Sequence, residues 1–310
     1  MKTVICAAVV ALCVTGVHSA PFAYVPNEKS ASVSVIDLAT DSVAHQYAAG
    51  TRPRGIALAD GRLYISDAAT SSLLRLDAAT GKAFPPLVLG NSPEGVSASR
   101  DGALVAVAVE ESNSVTLFDA RSGTRLADIA VQGRNPEHAV FSPDGRWLLV
   151  SAEEAEQVDV IDVDLRRQVG AVAVGRRPRG IGFSQDGARA YVACELANAV
   201  YEIDMAARRV TAIIPAGKNA NGIAVHPNGR QVYVSNGADG SVMQIDTGSH
   251  TVTATIAVGK RPWNMALSPD GSKLYVANGR SNSVSVIDTA LARVGGEIAV
   301  GQLPWGVVIR

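Results

Sequence analysis

Gly259-Lys260-Arg261-Pro262-Trp263-Asn264-Met265 is one of seven copies of a single box, Gly-x-x-Pro-x-[Gly/Asn/His]-apolar. The copies begin at Gly50, Gly90, Gly133, Gly175, Gly217, Gly259 and Gly301, spaced by 40 to 43 residues. One copy breaks the proline, with Ala220 in its place. A regular period in this range marks a repeat architecture, so the period is read before any single element.

The unit from Pro262 to Gly301 shows what one period contains. Trp263 to Leu267 opens a strand, and Ser268-Pro269-Asp270-Gly271 turns it, because a tight hairpin needs a positive φ that glycine tolerates. Leu274 to Asn278 is a second strand rich in β-formers, and Ser283 to Asp288 a third. Asp288 opens a turn in which its carboxylate accepts a backbone N–H two residues on. Gly296 to Val300 reads as the fourth strand. That makes four short antiparallel strands per unit, with no helical periodicity in the chain.

The marks recur in register, and their mismatch is informative. Hairpin signals fall at Asp60-Gly61, Asp101-Gly102, Asp144-Gly145, Asp186-Gly187, Asn228-Gly229 and Asp270-Gly271. The third-strand aspartate falls at Asp37, Asp77, Asp119, Asp162, Asp204, Asp246 and Asp288. There is one aspartate more than there are hairpins. Phe22 to Asn27 is a second strand with no first, and Trp305 to Arg310 a first strand with no second. Together the two ends complete a seventh unit. The expected fold is an all-β, seven-bladed β-propeller with four antiparallel strands per blade, its ring closed by the terminal strands. Sharing one blade between the ends removes the open sheet edge that a linear array would expose.

Residues 1–19 read as a secretory signal and residues 20–310 as the propeller. Lys2 gives the positive start, Val4 to Val14 the apolar core, and Val17-His18-Ser19 a small-residue cleavage site. The apolar run is short for a bilayer span. The expected address is periplasmic or secreted. Cys6 and Cys13 leave with the signal, so Cys194 has no partner for an intramolecular disulfide, and it reads as a buried small apolar residue. No Cys-x-x-Cys-His offers covalent haem attachment. Removing Lys2 from 28 basic residues leaves 27 against 29 acidic ones, a net charge of −2, which gives nucleic acid no general attraction. A monomer is the expected state.

Tyr-Val-x-Asn occurs at residues 24–27, 233–236 and 275–278, and Ser-Val-Ser-Val-Ile-Asp at 32–37 and 283–288. With these motifs the whole mature chain resembles the YVTN family of β-propeller repeat proteins. Val174 to Gly180 and Val300 to Val308 are similar to the exported propellers associated with pyrroloquinoline-quinone-dependent alcohol catabolism. The resemblance implies company with quinoprotein alcohol dehydrogenases and names no reaction of this chain. Ala220, and the loss of Tyr-Val-x-Asn near Val107 and Leu149, depart from the family pattern.

In a propeller the inter-blade loop and the turn between second and third strands emerge on one face. The residue after the box proline therefore sits at the mouth of the central channel. Blade by blade it is Arg54, Glu94, Glu137, Arg179, Asn221, Trp263 and Trp305. Glycine and proline repeat because the turn needs them, whereas this slot varies, as a ligand-facing rim or an unconstrained solvent position would. With His138 these are the candidate ligand-binding residues. The turn slot after Tyr-Val-x-Asn reads Glu28, Ala68, Glu110, Glu153, Glu195, Gly237 and Gly279. Two neighbouring blades thus carry Glu94, Glu110, Glu137 and Glu153, a candidate set for a divalent cation or an amine. The alternative is Arg–Glu pairing on a wet rim, worth little per pair. Trp263 and Trp305 on adjacent blades suggest one aromatic wall, holding a planar anion with Arg54, Arg179 and Arg261, or plugging the mouth as packing.

The expected function is that of an exported, non-catalytic binding or scaffolding propeller, accessory to a periplasmic quinoprotein alcohol oxidation pathway. Its partner would be a protein or a small ligand on the inter-blade loop face. No cofactor is assigned beyond a divalent cation in the mouth. The other reading is a metal-dependent, lactonase-like hydrolase, with a metal-held water and a carboxylate base at the channel mouth. No Gly-x-Ser-x-Gly elbow anchors Ser-His-Asp catalysis. His226, ahead of Pro227-Asn228-Gly229 on the opposite face, reads as structural.

Overall fold

The computed structural model describes residues 21–310. Residues 1–19, expected from the sequence to be a secretory signal, lie outside the described residues. Among the described residues no helix is long and apolar enough to cross a membrane.

Seven four-stranded antiparallel sheets follow one another round a ring. Blades 1 to 6 start with the innermost strands Pro53–Ala59, Pro93–Ala98, Pro136–Phe141, Pro178–Phe183, Ala220–Val225 and Pro262–Leu267. Blade 7 is built from both ends, with Val308–Ile309 inside and Phe22–Asn27, Ser32–Asp37 and Ser42–Ala48 outside it. Ala23 pairs with Ile309 and Tyr24 with Val308, and Asn27 bridges to Pro304. The amide of Trp305 donates to the carbonyl of Pro26 at 3.0 Å. A side-chain latch adds to the closure, with Lys273 Nζ 2.6 Å from Asp41 Oδ2 and the Tyr275 hydroxyl donating to Asp41 Oδ1 at 2.6 Å.

The second strand of every blade is buried on both faces, because it lies in the middle of a sheet sandwiched between two neighbours. This is why it reads as an unbroken run such as Leu274-Tyr275-Val276-Ala277 rather than as an alternation. Each apolar cluster joins two adjacent blades: Ala23, Val25 and Ile36 of blade 7 pack with Tyr275, Ala277 and Val284 of blade 6. The repeated tyrosine does more than fill space. Tyr24 donates its hydroxyl to Ala78 O at 3.0 Å and Tyr64 donates to Ala120 O, each reaching the following blade. A buried hydroxyl needs such a partner.

The asparagine of Tyr-Val-x-Asn and the glycine of the box turn out to be one device. Asn236 Oδ1 accepts the Gly217 amide at 3.0 Å, and Asn278 Nδ2 donates to Ser283 and Ser285 hydroxyls at 3.2 and 2.8 Å. The side chain lies against the box glycine so closely that a Cβ on Gly259 would sit 2.6 Å from Asn278 Cγ. Gly259→Ala is therefore expected to destabilise the protein by about 1–3 kcal/mol through overpacking. A lower urea midpoint at unchanged slope checks this, and an unchanged midpoint would show that the loop relaxes freely. Where the asparagine is missing in blade 3, Asp159 substitutes for it, its Oδ2 accepting the Gly133 amide at 2.8 Å.

The fourth strand differs from the sequence expectation. In blade 6 it spans Arg293–Ala299 rather than starting at Gly296. Gly295 and Gly296 sit inside the strand, at a bulge where pairing shifts between Val286 and Ile287. An outer strand packs little side-chain surface, so glycine costs it less than it would cost an inner one. The hairpin and aspartate turns form as expected: Asp270 Oδ1 accepts from Ser268 Oγ at 2.6 Å and Ser272 N at 3.0 Å, and Asp288 Oδ1 from the amides of Ala290 and Leu291. The Ser268 bond, with those from Ser272, pulls the Asp270 carboxyl down to about 2.

Candidate functional site at the channel mouth

Because the inter-blade loops repeat, the residue after the box proline, or after Ala220, comes to an equivalent place in each blade. Arg54, Glu94, Glu137, Arg179, Asn221, Trp263 and Trp305 all line one polar cavity of about 280 Å³ at the mouth. Glu28, Glu110 and Glu153 from the second-to-third-strand turns line it too. Sequence spacing alone had placed these two sets on one face. Arg261, named beside the tryptophans, lines it as well, and the structure adds Arg177 and Asn264. A signal for Arg177 existed in the box itself, since arginine precedes proline in three copies.

Arginines stand between the carboxylates. Arg179, with 12% of its side chain exposed, is shared by three of them: Nη1 is 2.6 Å from Glu137 Oε1 and also meets Glu153, and Nε is 2.9 Å from Glu195 Oε2. Arg177 joins Glu153 and Glu195 at 3.2 and 3.3 Å, and Arg261 Nη2 joins Glu195 Oε1 at 3.2 Å. On the other side Arg54 pairs with Glu94 and lies 3.5 Å from Glu28, whose Oε1 also receives Arg52 Nε at 2.5 Å. Glu110 is different. Among the described ion pairs it has none, and its Oε2 accepts only the Ser92 hydroxyl, at 2.8 Å.

The electrostatics follow from burial and crowding. Burial, then the neighbouring Glu137 charge, pushes the Glu94 carboxyl up to about 8, against the pull of Arg54. The same two causes push Glu153 up to about 7. Burial also raises Glu195, but Arg179, Asn219 and Arg177 outweigh it and hold that carboxyl below the usual range. Burial disfavours the charged Arg179 guanidinium, yet Glu137, Glu153 and Glu195 more than offset it and make the cation harder to lose. At neutral pH the mouth thus keeps a near balance of charge by retaining protons on buried carboxyls.

The candidate metal set Glu94, Glu110, Glu137 and Glu153 does converge on the cavity. However, among the described residues no group of three or more His, Cys, Asp or Glu is arranged to hold a metal ion. Guanidinium groups occupy the space between Glu137, Glu153 and Glu195 that a hard cation would need. The geometry is the Arg–Glu pairing weighed from the sequence, partly buried rather than wet.

His138 departs from its expected place beside the carboxylates. It occupies the slot after Glu137, which is glycine in five of the seven copies, and lines a smaller cavity of about 130 Å³ deeper in the channel. There its ring packs against Trp305 at 5.4 Å and 41°. Burial lowers its pKa, so it is a neutral imidazole at pH 7. Both tryptophans line the mouth cavity, each with its own neighbour. Trp305 turns to His138, while Trp263 lies over Gly279, where a Cβ would come within 2.8 Å of the indole. Arg261 sits 5.9 Å from the Trp263 ring centroid. Glycine in the turn slot is what lets this indole lie down on the rim. His226 is structural: its ring nitrogens engage Gly271 O and the Asn228 amide, both at 3.1 Å. Cys194 is buried, and burial pushes its thiol up to about 12, which leaves it inert.

Fold and site together define a seven-bladed propeller with a charged, aromatic-lined channel mouth. The chain belongs to the family described as lactonase, seven-bladed β-propeller, whose model matches residues 17–170 and 165–302. No curated sequence matches it. Among solved structures it is similar to a chain of the hydrazine synthase of Kuenenia stuttgartiensis, with 23% identity over 86% of this chain and 92% of that one, at a TM-score of 0.79. It is also similar to a functionally unknown protein from Desulfotomaculum acetoxidans, with 17% identity, coverage of 93% and 98%, and a TM-score of 0.80. At these identities the likeness is one of fold.

Proposed function

We propose that the protein is an exported, non-catalytic binding propeller whose ligand or protein partner engages the channel mouth. The observation that carries this reading is the convergence of seven side chains of four types, one from the same slot of each blade, on one cavity. A merely structural slot would repeat, as the box glycine does. The setting, an accessory role in periplasmic quinoprotein alcohol oxidation, is supported by the resemblance of residues 174–180 and 300–308 alone. Pull-down from the native periplasm tests the binding role. Capture of a discrete partner that is lost in Trp263→Ala, Trp305→Ala supports it, and capture unaffected by these changes removes the mouth from the interaction.

A second reading, a lactonase-like hydrolase, is favoured by the family and by one feature of the site. Glu94 and Glu153 have carboxyls raised to about 8 and about 7, which suits proton transfer at neutral pH. A screen of lactones and esters with and without divalent metals separates the two readings. Turnover that Glu137→Gln abolishes would make the protein an enzyme, and no turnover on any of them is the expected result.

A further inference from the structure

We propose that the rim around the mouth docks an acidic protein surface, held by Lys29, Arg176, Lys218, Lys260 and Arg280. The inference rests on the reading of the mouth as a binding face and names the chemistry of the partner. Two loop positions ring that face outside the cavity lining. One is the residue after the box glycine, and the other is the second residue of the turn between second and third strands. Their backbones join within a blade: the Arg280 amide donates to Lys260 O at 3.0 Å, and the Glu154 amide to Arg134 O at 3.2 Å. In blade 3 the side chains on this frame have opposite charges and pair, Arg134 Nη2 lying 3.1 Å from Glu154 Oε2. Blade 6 puts Lys260 and Arg280 on the same frame, two exposed cations side by side. Neither takes part in any of the described ion pairs, so their repulsion is left for an outside anion to relieve.

The neighbouring blades extend the pattern. Arg176 in blade 4, Lys218 in blade 5 and Lys29 in blade 7 occupy the same two positions, all exposed and all outside the described ion pairs. Among the described residues in these loops of blades 4 to 7, the exposed carboxylate is Asp239 alone. Glu28 and Glu195 are buried and already joined to arginines. Blades 2 and 3 carry the opposite sign on the same face, with Glu111, Glu154 and Glu156 exposed against Arg134. The chain has 28 basic and 29 acidic residues, so the basic crescent is an arrangement and not a consequence of composition. Such a split face suits a protein, which can present carboxylates on one side only. A nucleic acid or an anionic bilayer is negative throughout and would meet Glu111, Glu154 and Glu156 as well. Opposed sectors also set the angle at which the partner seats. Leu196, 47% exposed and joined through its amide to Arg176 O, adds an apolar contact within the crescent.

The test uses the purified protein with a labelled oligoglutamate peptide as the probe, read by fluorescence anisotropy over a series of salt concentrations. Binding is expected at low salt and should weaken steeply as salt rises, since the Debye length falls from ~30 Å at 0.01 M to ~8 Å at 0.15 M. Lys260→Glu recreates the opposite-charge pair of blade 3, so it is expected to fold, and it should weaken the peptide ~10-fold or more, the scale of electrostatic steering. Arg230→Glu alters the net charge equally, but Arg230 is exposed beside a hairpin on the opposite face, so binding should stay within ~2-fold of wild type. No binding at low salt, or an equal loss in Arg230→Glu, overturns the proposal. Tighter binding of a single-stranded oligonucleotide or of phosphatidylglycerol vesicles than of the peptide overturns it too. The pull-down separates this inference from the reading beneath it. Loss of the captured partner in the double variant Lys260→Glu, Arg280→Glu is expected. A partner kept there but lost in Trp263→Ala, Trp305→Ala overturns the rim and keeps the mouth, and a partner kept in every variant removes both.

Discussion

Replacing Arg179 with alanine is expected to cost about 3–5 kcal/mol, the price of leaving buried carboxylates without their cation. Arg179 is the shared partner of Glu137, Glu153 and Glu195, and Glu195 has only 2% of its side chain exposed. The loss should depend on pH in a defined direction. Without the guanidinium, the folded state holds protons on these carboxyls more tightly than the unfolded chain does. The penalty is absent below the unfolded carboxylate pKa of about 4.3 and grows as pH rises above it. Urea unfolding of Arg179→Ala at pH 4.5 and pH 8 measures this, and a deficit that is the same at both pH values would show that lost packing, rather than charge, is responsible. Arg179→Lys should recover little, because an ammonium cannot present the guanidinium fork to three carboxylates at once.

Glu94→Gln is expected to do the reverse and stabilise the protein at alkaline pH. The Glu94 carboxyl holds its proton up to about 8, against an ordinary value of 4.5. Between those values the unfolded chain ionises while the folded state does not. Stability from this group is therefore full below about pH 4.5 and lost as pH rises through 8. Glutamine imitates the protonated carboxyl and cannot titrate. The variant should match the wild type near pH 4.5 and exceed it by about 2–4 kcal/mol at pH 9, at roughly 1.4 kcal/mol for each pH unit crossed, less the screening that relaxation and water provide. Parallel stability profiles for the two proteins would mean that Glu94 ionises normally in the fold.

Much of this molecule was legible because its decisive signals are local. Asp270-Gly271 makes its turn within a few residues, Asp288 bonds amides two and three residues on, and each recurs at the same offset. Counting these marks gave seven blades and the shared blade at the ends. The slot after the proline was legible for the same reason, since one loop geometry repeated round an axis sends Arg54 and Trp263 to equivalent places. His138 was misplaced because position in the box gives direction but not depth, and the slot one residue further on lies deeper in the channel, under Trp305. The start of the fourth strand was missed because its bulge is set by pairing with the third strand, which Gly295 and Gly296 do not announce.

Repetition determined the architecture on its own: a chain that writes Gly-x-x-Pro and Asp-Gly at a fixed period has few ways to bury its apolar strands except by stacking them face to face. It also determined which residues meet at the mouth. What only the tertiary structure decided is how those residues share charge. Arg179 neutralises three carboxylates from its own blade and the preceding one, Arg54 serves Glu94 and Glu28 on either side of it, and Glu110 is left with a hydroxyl. Such pairings depend on side-chain reach across a cavity a few ångströms wide, a quantity that no spacing along the chain encodes.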